Sequence, residues 1–355
     1  MVRWPPLLEQ LIFGDRFNQP ISGFAGSAGL PASLQRLEFG SNFNHAISMV
    51  RWPPLLEQLI FGDCFNQPIS GFAWPKSIQH LSFGKRFNQV IEGTLWPQHL
   101  QYLSFGAKFN QPIEKVTWNK SLHHLTFRFN FNQPIEATTW PTHLKHLRFG
   151  NKFKQPIERV AWNASLQHLT FGCNFNQPIE ATVWPQHLQS LKFGHKFNQP
   201  IERVAWNASL QNLTFGCNFN QPIEATTWPP HLEHLKFGNK FNQPIERVAW
   251  NASLQNLTFG YDFNQPIEAT TWPDSVQNLR FGKGFNQPIE ATTWPDSLQH
   301  LTLECSYFKL PTEAATWPRS LQNLRIGTHD NQHVARRARP SRQKVLESMF
   351  LWTGV

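Results

Sequence analysis

The sequence predicts a β-rich solenoid, a coil of about 14 similar units in which each unit buries its apolar side chains against its neighbours. Three observations predict it: tryptophans recur at a fixed interval, each interval holds a short alternating apolar stretch, and glycine and proline mark the turns. The tryptophans stand 22 residues apart at Trp52, Trp74, Trp96, Trp118, Trp140, Trp162, Trp184, Trp206, Trp228, Trp250, Trp272 and Trp294. Such a chain presents a long repeated surface and lacks the single asymmetric pocket in which most catalysis takes place.

One unit, residues 184–205, shows how each coil is expected to fold. Its segment Leu188-x-x-Leu191-x-Phe193 alternates apolar and polar residues, which predicts one short strand. The strands of successive coils are expected to form a parallel ladder. Gly194 closes the strand, and we expect a positive φ there to turn the chain.

The segment after the proline predicts a second, weaker ladder on the opposite wall of the coil. Ile201-x-x-Val204-x-Trp206 repeats the spacing of the strand segment, and Pro200 before it removes one backbone donor. About six large apolar side chains per coil are then expected to point inward. Stacked coils place each of them beside its copy at about 4.8 Å.

The motif Phe-Asn-Gln-Pro-Ile follows most strands, as at 197–201 and 219–223. Together with the strand it reads Leu-x-x-Leu-x-Phe-Gly-x-x-Phe-Asn-Gln-Pro-Ile, which resembles the FNIP repeat, a relative of leucine-rich repeats. The resemblance implies a leucine-rich-repeat-like, right-handed solenoid used for protein interaction. Some members of the family carry an F-box before the repeats and are regarded as substrate receptors of ubiquitin ligases. Because the repeats begin at Trp4, we expect no F-box here.

The chain is expected to consist of one solenoid and a basic tail. The predicted boundaries are 1–326 for the solenoid, with irregular first units at 1–48, regular units at 49–302 and a degraded last unit at 303–326, and 327–355 for the tail. The tail holds a basic run from Arg336 to Lys344 and is expected to be disordered. A nuclear-targeting or nucleic-acid-binding arm is the alternative.

The N-terminus has no apolar signal segment, and no apolar run reaches the roughly 18 residues of a membrane span. We therefore expect a cytoplasmic protein, with a nuclear location as the alternative through the tail. The first coil is expected to expose Trp4, Leu8, Leu11 and Phe13, since no polar cap precedes it. End-to-end self-association, and with it a purely structural role, is therefore a further alternative.

The outward position between the last Leu and Phe of each strand alternates basic residues with threonine. We call this column and the lysines just after the strands the basic/Thr face: Arg148, Thr170, Lys192, Thr214, Lys236, Thr258 and Arg280, with Lys152, Lys196 and Lys240. A net charge of +9 favours acidic partners. We predict that a protein partner binds this face. Nucleic acid is the alternative, which the expected inward direction of the aromatic side chains disfavours.

Other repeated polar residues are expected to be structural. Asn18 and its copies are predicted to form an amide ladder between coils, because buried turn amides need partners. One glutamate per coil, from Glu92 to Glu290, forms a column whose repulsion Arg159 and its copies should offset in part. The histidines and four cysteines follow repeat positions, so we predict no catalytic residues, no metal site and no cofactor.

Overall fold

A computed structural model describes residues 4–21, 29–305 and 316–327. The chain divides into two compact units, Met1–Gly194 and His195–Val355, which we call unit 1 and unit 2. The tail from residue 328, part of the irregular first units (1–3 and 22–28) and residues 306–315 of the degraded last unit lie outside the described residues.

Each unit is a parallel β-solenoid with one short strand per coil, and the described residues contain no helix. Unit 1 holds β1 (Gln10–Ile12), β2 (Arg36–Glu38), β3 (Gln58–Ile60), β4 (His80–Ser82), β5 (Tyr102–Ser104), β6 (His124–Thr126), β7 (His146–Arg148), β8 (His168–Thr170) and β9 (Ser190–Lys192). Unit 2 holds β10 (Asn212–Thr214), β11 (His234–Lys236), β12 (Asn256–Thr258), β13 (Asn278–Phe281), β14 (His300–Leu303) and β15 (Asn323–Ile326). The predicted fold class and its parallel ladder are confirmed.

Within each unit, the register of the ladder places every strand residue beside its copy in the next strand. In unit 1, for example, Leu147 pairs with Leu169 and Thr126 with Arg148. The core consists of the strand leucine and phenylalanine, the phenylalanine after the turn and the isoleucine, which are almost fully buried. The ring of Phe149 lies 4.1 Å from that of Phe153 in its own coil. Burying each such side chain contributes about 1.5–3 kcal/mol.

The prediction of a second strand ladder on the opposite wall is wrong. Among the described residues this segment forms turns in place of strands. The backbone N–H of Val116 donates to the carbonyl of Ile113, and that of Thr138 donates to the carbonyl of Ile135. Because these donors are used within one coil, they are not available for bonds between coils.

The positive φ predicted at Gly194 is wrong. The glycine at the end of the strand is needed for another reason, the close approach of the backbones of two adjacent coils. Among the described glycines, positive φ occurs at Gly71, Gly93 and Gly327. A Cβ added at Gly194 would lie 1.8 Å from the carbonyl oxygen of Gly172, which leaves no space for a side chain. The turn backbones of adjacent coils therefore touch at this point.

The predicted asparagine ladder is present. The side-chain oxygen of Asn88 accepts from the backbone N–H of Asn110 at 2.8 Å, and Asn110 accepts in the same way from Asn132. Gln133 also donates to the carbonyl of Asn110 at 2.9 Å. Lys154 stands at the next ladder position and has no amide oxygen with which to accept.

Buried threonines and valines alternate at one position of the opposite wall. Thr138 and Val160 are 4% and 5% exposed. The hydroxyl of Thr138 is buried without a hydrogen-bond partner among the described residues, and the valine of the next coil fills the same space with a methyl group. A buried, unpaired hydroxyl is destabilising.

We expect Asn110→Ala to lower the free energy of unfolding by about 1–2 kcal/mol, because it removes the acceptor of the Asn132 N–H. Chemical denaturation of the whole chain measures the loss. Lys154→Ala, at the same repeat position but without an amide, is the matched control and should change stability by less than about 0.5 kcal/mol. Equal losses in both variants would contradict the ladder's role.

Exchanging the buried threonine and valine should have opposite effects. Thr138→Val is expected to raise the free energy of unfolding by about 1 kcal/mol, and Val160→Thr to lower it by about 1–3 kcal/mol. Both are read from the same denaturation curves. A loss of stability in Thr138→Val would show that a bound water satisfies the hydroxyl.

Candidate binding face

In unit 1 the strand register assembles the basic/Thr face into one column. Thr126, Arg148, Thr170 and Lys192 are paired partners on the successive strands β6 to β9. The side chains of Arg148 and Lys192 are exposed, while the threonines are half-buried. Two strand spacings separate the basic residues, so like charges recur at roughly 10 Å.

Unit 2 repeats the arrangement with one difference in charge. Thr214, Lys236, Thr258 and Arg280 are paired partners on β10 to β13. Arg280 donates to the Glu304 carboxylate, whose side chain is only 18% exposed. Its charge is therefore compensated within the chain, whereas Lys236 is exposed and has no such ion pair among the described residues.

The three lysines of the face lie in the turn directly after a strand. Lys152, Lys196 and Lys240 are all exposed. The Lys152 ammonium lies 5.7 Å from the centre of the Phe129 ring, which is itself 49% exposed. This cation–π contact holds Lys152 beside the face.

A column of outward rings, whose stacking was not predicted from the sequence, lies on strands β4 to β8 of unit 1. We call it the ring column: His80, Tyr102, His124, His146 and His168. Successive ring centres are 4.2, 4.1, 4.0 and 4.3 Å apart, and the interplanar angles are at most 18°. The expectation that the aromatic side chains all point inward is therefore wrong for unit 1. The signal was the recurrence of these residues every 22 positions.

The same strand position in unit 2 is built mainly from amides. It holds Asn212, His234, Asn256, Asn278, His300 and Asn323. His300 and Asn323 form a hydrogen bond of 2.8 Å between Nδ1 and Nδ2. The stacked ring column is therefore a feature of unit 1.

Stacking on a half-buried strand face changes the acidity of the imidazoles. Partial burial lowers the pKa of His80, His146 and His168. Burial and the neighbouring imidazoles, above all His146, lower the pKa of His124 to about 4. The imidazoles of the column are therefore neutral at pH 7, and the positive charge of this face in unit 1 comes from Arg148, Lys152 and Lys192.

The wall away from the strands carries the glutamate column and a shallow cavity. In unit 1, Arg159 lies 3.8 Å from the carboxylate of Glu136, as expected for a basic residue that offsets the column.

In unit 2, a cavity of about 400 Å³ lies between the turns of two coils, lined by Arg203, Trp206 and Trp228 among others. The cavity is open and holds no nucleophile paired with a base.

Neither a cluster of metal-ligating side chains nor a membrane-spanning helix is found in the described part of the chain. It contains no group of three or more His, Cys, Asp or Glu side chains that could hold a metal ion. None of its elements is an apolar helix long enough to cross a bilayer.

Burial raises the pKa of the Cys305 thiol to about 11, so this cysteine is protonated at neutral pH.

Comparison with protein families identifies the repeat. The FNIP Repeat model matches residues 5–41, 25–64, 43–86, 65–108, 109–152, 131–161, 163–196, 197–240, 241–284 and 285–329. Among solved structures, the chain is similar to CroV588, described as a novel circular leucine-rich-repeat protein, with 37% identity and a TM-score of 0.77. That match covers 94% of this chain and 55% of CroV588, so the chain spans little more than half the length of this relative.

Two further structures share the fold at low identity. An internalin (inlF) from Listeria monocytogenes has 14% identity and a TM-score of 0.58, over 83% of this chain and 86% of that one. A chain of the Toll–Spatzle complex from Drosophila has 12% identity and a TM-score of 0.65, over 90% of this chain and 47% of that one. No curated protein matches the sequence.

Acidification should destabilise unit 1 through the ring column. Because the pKa of His124 is lowered by folding, the unfolded chain takes up its proton first as the pH falls. Stability is therefore complete above about pH 6.5 and is lost progressively as the pH falls toward the folded pKa. Thermal unfolding and hydrogen exchange at β4 to β8 measure this loss.

His124→Gln should reduce this pH dependence, because glutamine does not titrate and already occupies the same position at Gln58. His234→Gln, at the same strand position in unit 2, is the matched control and should leave exchange at β4 to β8 unchanged. A wild-type stability that does not change between neutral and acidic pH would contradict the effect.

Proposed function

The chain belongs to the FNIP repeat family, and from this premise we propose that it is a non-enzymatic scaffold that binds a protein partner along its basic/Thr face. Solenoids of the leucine-rich-repeat type commonly serve as protein-interaction scaffolds. The observation that carries the proposal is the placement of Arg148, Lys192 and Lys236. Within unit 1, strand register holds the exposed charges of Arg148 and Lys192 two strands apart, and within unit 2 it aligns the exposed Lys236 with its strand neighbours.

The rigidity of the ladder supports this function energetically. A partner that contacts one side chain per coil gains many weak contacts while the scaffold loses little conformational freedom on binding. Each exposed charge contact is worth only about 0.2–1 kcal/mol. Useful affinity therefore requires several coils at once, and the repeated column supplies them.

The charge of the face defines the kind of partner. Arg148, Lys192 and Lys236 carry positive charge without an ion pair among the described residues, so a partner segment rich in Asp or Glu is favoured. Single-stranded nucleic acid binds by stacking bases on free aromatic faces. In the ring column those faces are already covered by neighbouring rings, which favours protein over nucleic acid.

The test is a triple charge reversal, Arg148→Glu, Lys192→Glu and Lys236→Glu, in the whole chain. Affinity purification with nuclease at low and high salt, followed by mass spectrometry, identifies the proteins that wild type retains. We expect the triple variant to bind those proteins about tenfold to hundredfold more weakly, because three attractive contacts become repulsive. Unchanged affinity contradicts this assignment of the face.

The matched control reverses three cations on the opposite wall, Lys115→Glu, Arg159→Glu and Arg247→Glu. These side chains are exposed, and the change in net charge is the same. The control variant should keep the partners, so a loss in both variants would indicate a general effect of charge. If nuclease and salt remove everything that wild type retains, the partner is a nucleic acid.

A further inference from the structure

The ring column gives unit 1 a surface that differs from that of unit 2. Its rings lie parallel at 4.0–4.3 Å, so each inner ring has both faces covered and presents only its edge to solvent. The Nδ1 atom of His124 is buried without a hydrogen-bond partner among the described residues, which leaves Nε2 as the nitrogen that a ligand can reach. The column therefore presents a line of ring edges, among them the imidazoles of His124, His146 and His168 on consecutive strands.

The groups around the column leave its protonated form poorly compensated. The titratable or charged side chains that face it from its own and adjacent coils are Glu57, His123, His143, Lys145, Arg148 and Lys192. Within the described residues, Glu57 is the one carboxylate acting on the column, and it acts on His80 at one end. Negative charge supplied from outside the described residues would therefore favour protonation of the column.

We propose that the ring column, together with Arg148 and Lys192, binds an acidic peptide segment with uptake of protons, so that this contact tightens as the pH falls below neutrality. The proposal rests on the proposed function, because it concerns the same strand face. A carboxylate placed at the edge of an imidazole favours its charged form. Binding and protonation then support each other, since whatever binds the protonated form better also raises its population.

The spacing of the column suits an extended peptide that runs along it. Alternate side chains of an extended chain recur at about 6.6 Å, so each carboxylate reaches the edges of one or two rings spaced by about 4 Å. A metal ion fits less well, because the ring nitrogens of parallel rings do not converge on one point. Base stacking is excluded between rings that already cover each other.

The experiment titrates an oligo-aspartate peptide into the whole chain at about pH 7.5 and about pH 5.5, where the probe stays ionised and histidine titrates. Isothermal titration calorimetry in buffers of different ionisation enthalpy gives both affinity and proton uptake. We expect affinity to rise at least about tenfold at the lower pH, with protons taken up on binding. Circular dichroism at both pH values checks that the chain stays folded.

The variants separate this inference from the proposed function. His124→Gln, His146→Gln and His168→Gln together should abolish both the rise in affinity at the lower pH and the proton uptake, because the side chains that take up the protons are removed. The control variant, His234→Gln with His300→Gln on the unit 2 strands, should retain both the rise in affinity and the proton uptake. A wild type that binds equally at both pH values through Arg148 and Lys192 overturns the inference alone.

Two other outcomes are equally decisive. If the peptide binds at neither pH, both the inference and the acidic-partner form of the proposed function fail. If a single-stranded oligonucleotide gains the same affinity with the same proton uptake, the column recognises negative charge in general, and a specific acidic-peptide contact is ruled out.

Discussion

The rest of the structure depends on the parallel register between coils, which is fixed by backbone hydrogen bonds from each strand to the next. Leu147 pairs with Leu169, and every other residue of β7 pairs with its copy in β8 in the same way. A slip of one residue would turn the strand leucine outward and the charged residue inward. The burial of leucine, phenylalanine and isoleucine in every coil therefore holds one register throughout each unit.

This constraint converts periodicity in sequence into columns in space, on the surface as well as in the core. Phenylalanine rings form columns in the core and half-buried asparagine amides form a column in the turns, and the contacts of both between coils stabilise the stack. Outside, the same register aligns whatever residues occupy the free positions, which are lysine, arginine and threonine at one position and imidazole rings at another. The strand face acquires its chemistry without any further element, because neighbouring coils supply the neighbours of each side chain.

The period and the alternation were sufficient to predict the parallel ladder, the inward leucines and phenylalanines and the asparagine ladder. The period and the alternation were not sufficient to predict the backbone structure of the opposite wall. Ile-x-x-Val-x-Trp has the spacing of a strand, but its N–H groups bond within the coil, as Val116 does to Ile113, and residue spacing does not distinguish the two. Gly194 was assigned to a turn conformation because contact with the backbone of Gly172 is visible only once the coils are stacked. For the basic/Thr face, the sequence identified its residues but could not show that Arg280 is paired with Glu304.

The ring column shows why position in a column matters more than the presence of a histidine. His234 and His300 occupy the same strand position as His124, yet asparagines separate them, so each has a different environment. Four histidines and a tyrosine on consecutive coils lie close enough to share burial and repulsion, which lowers the pKa of His124 well below that of an isolated imidazole. Replacing any of the three inner rings by asparagine would interrupt the stack. In a solenoid, the residue that recurs at one strand position therefore determines whether the charge of that part of the face changes with pH.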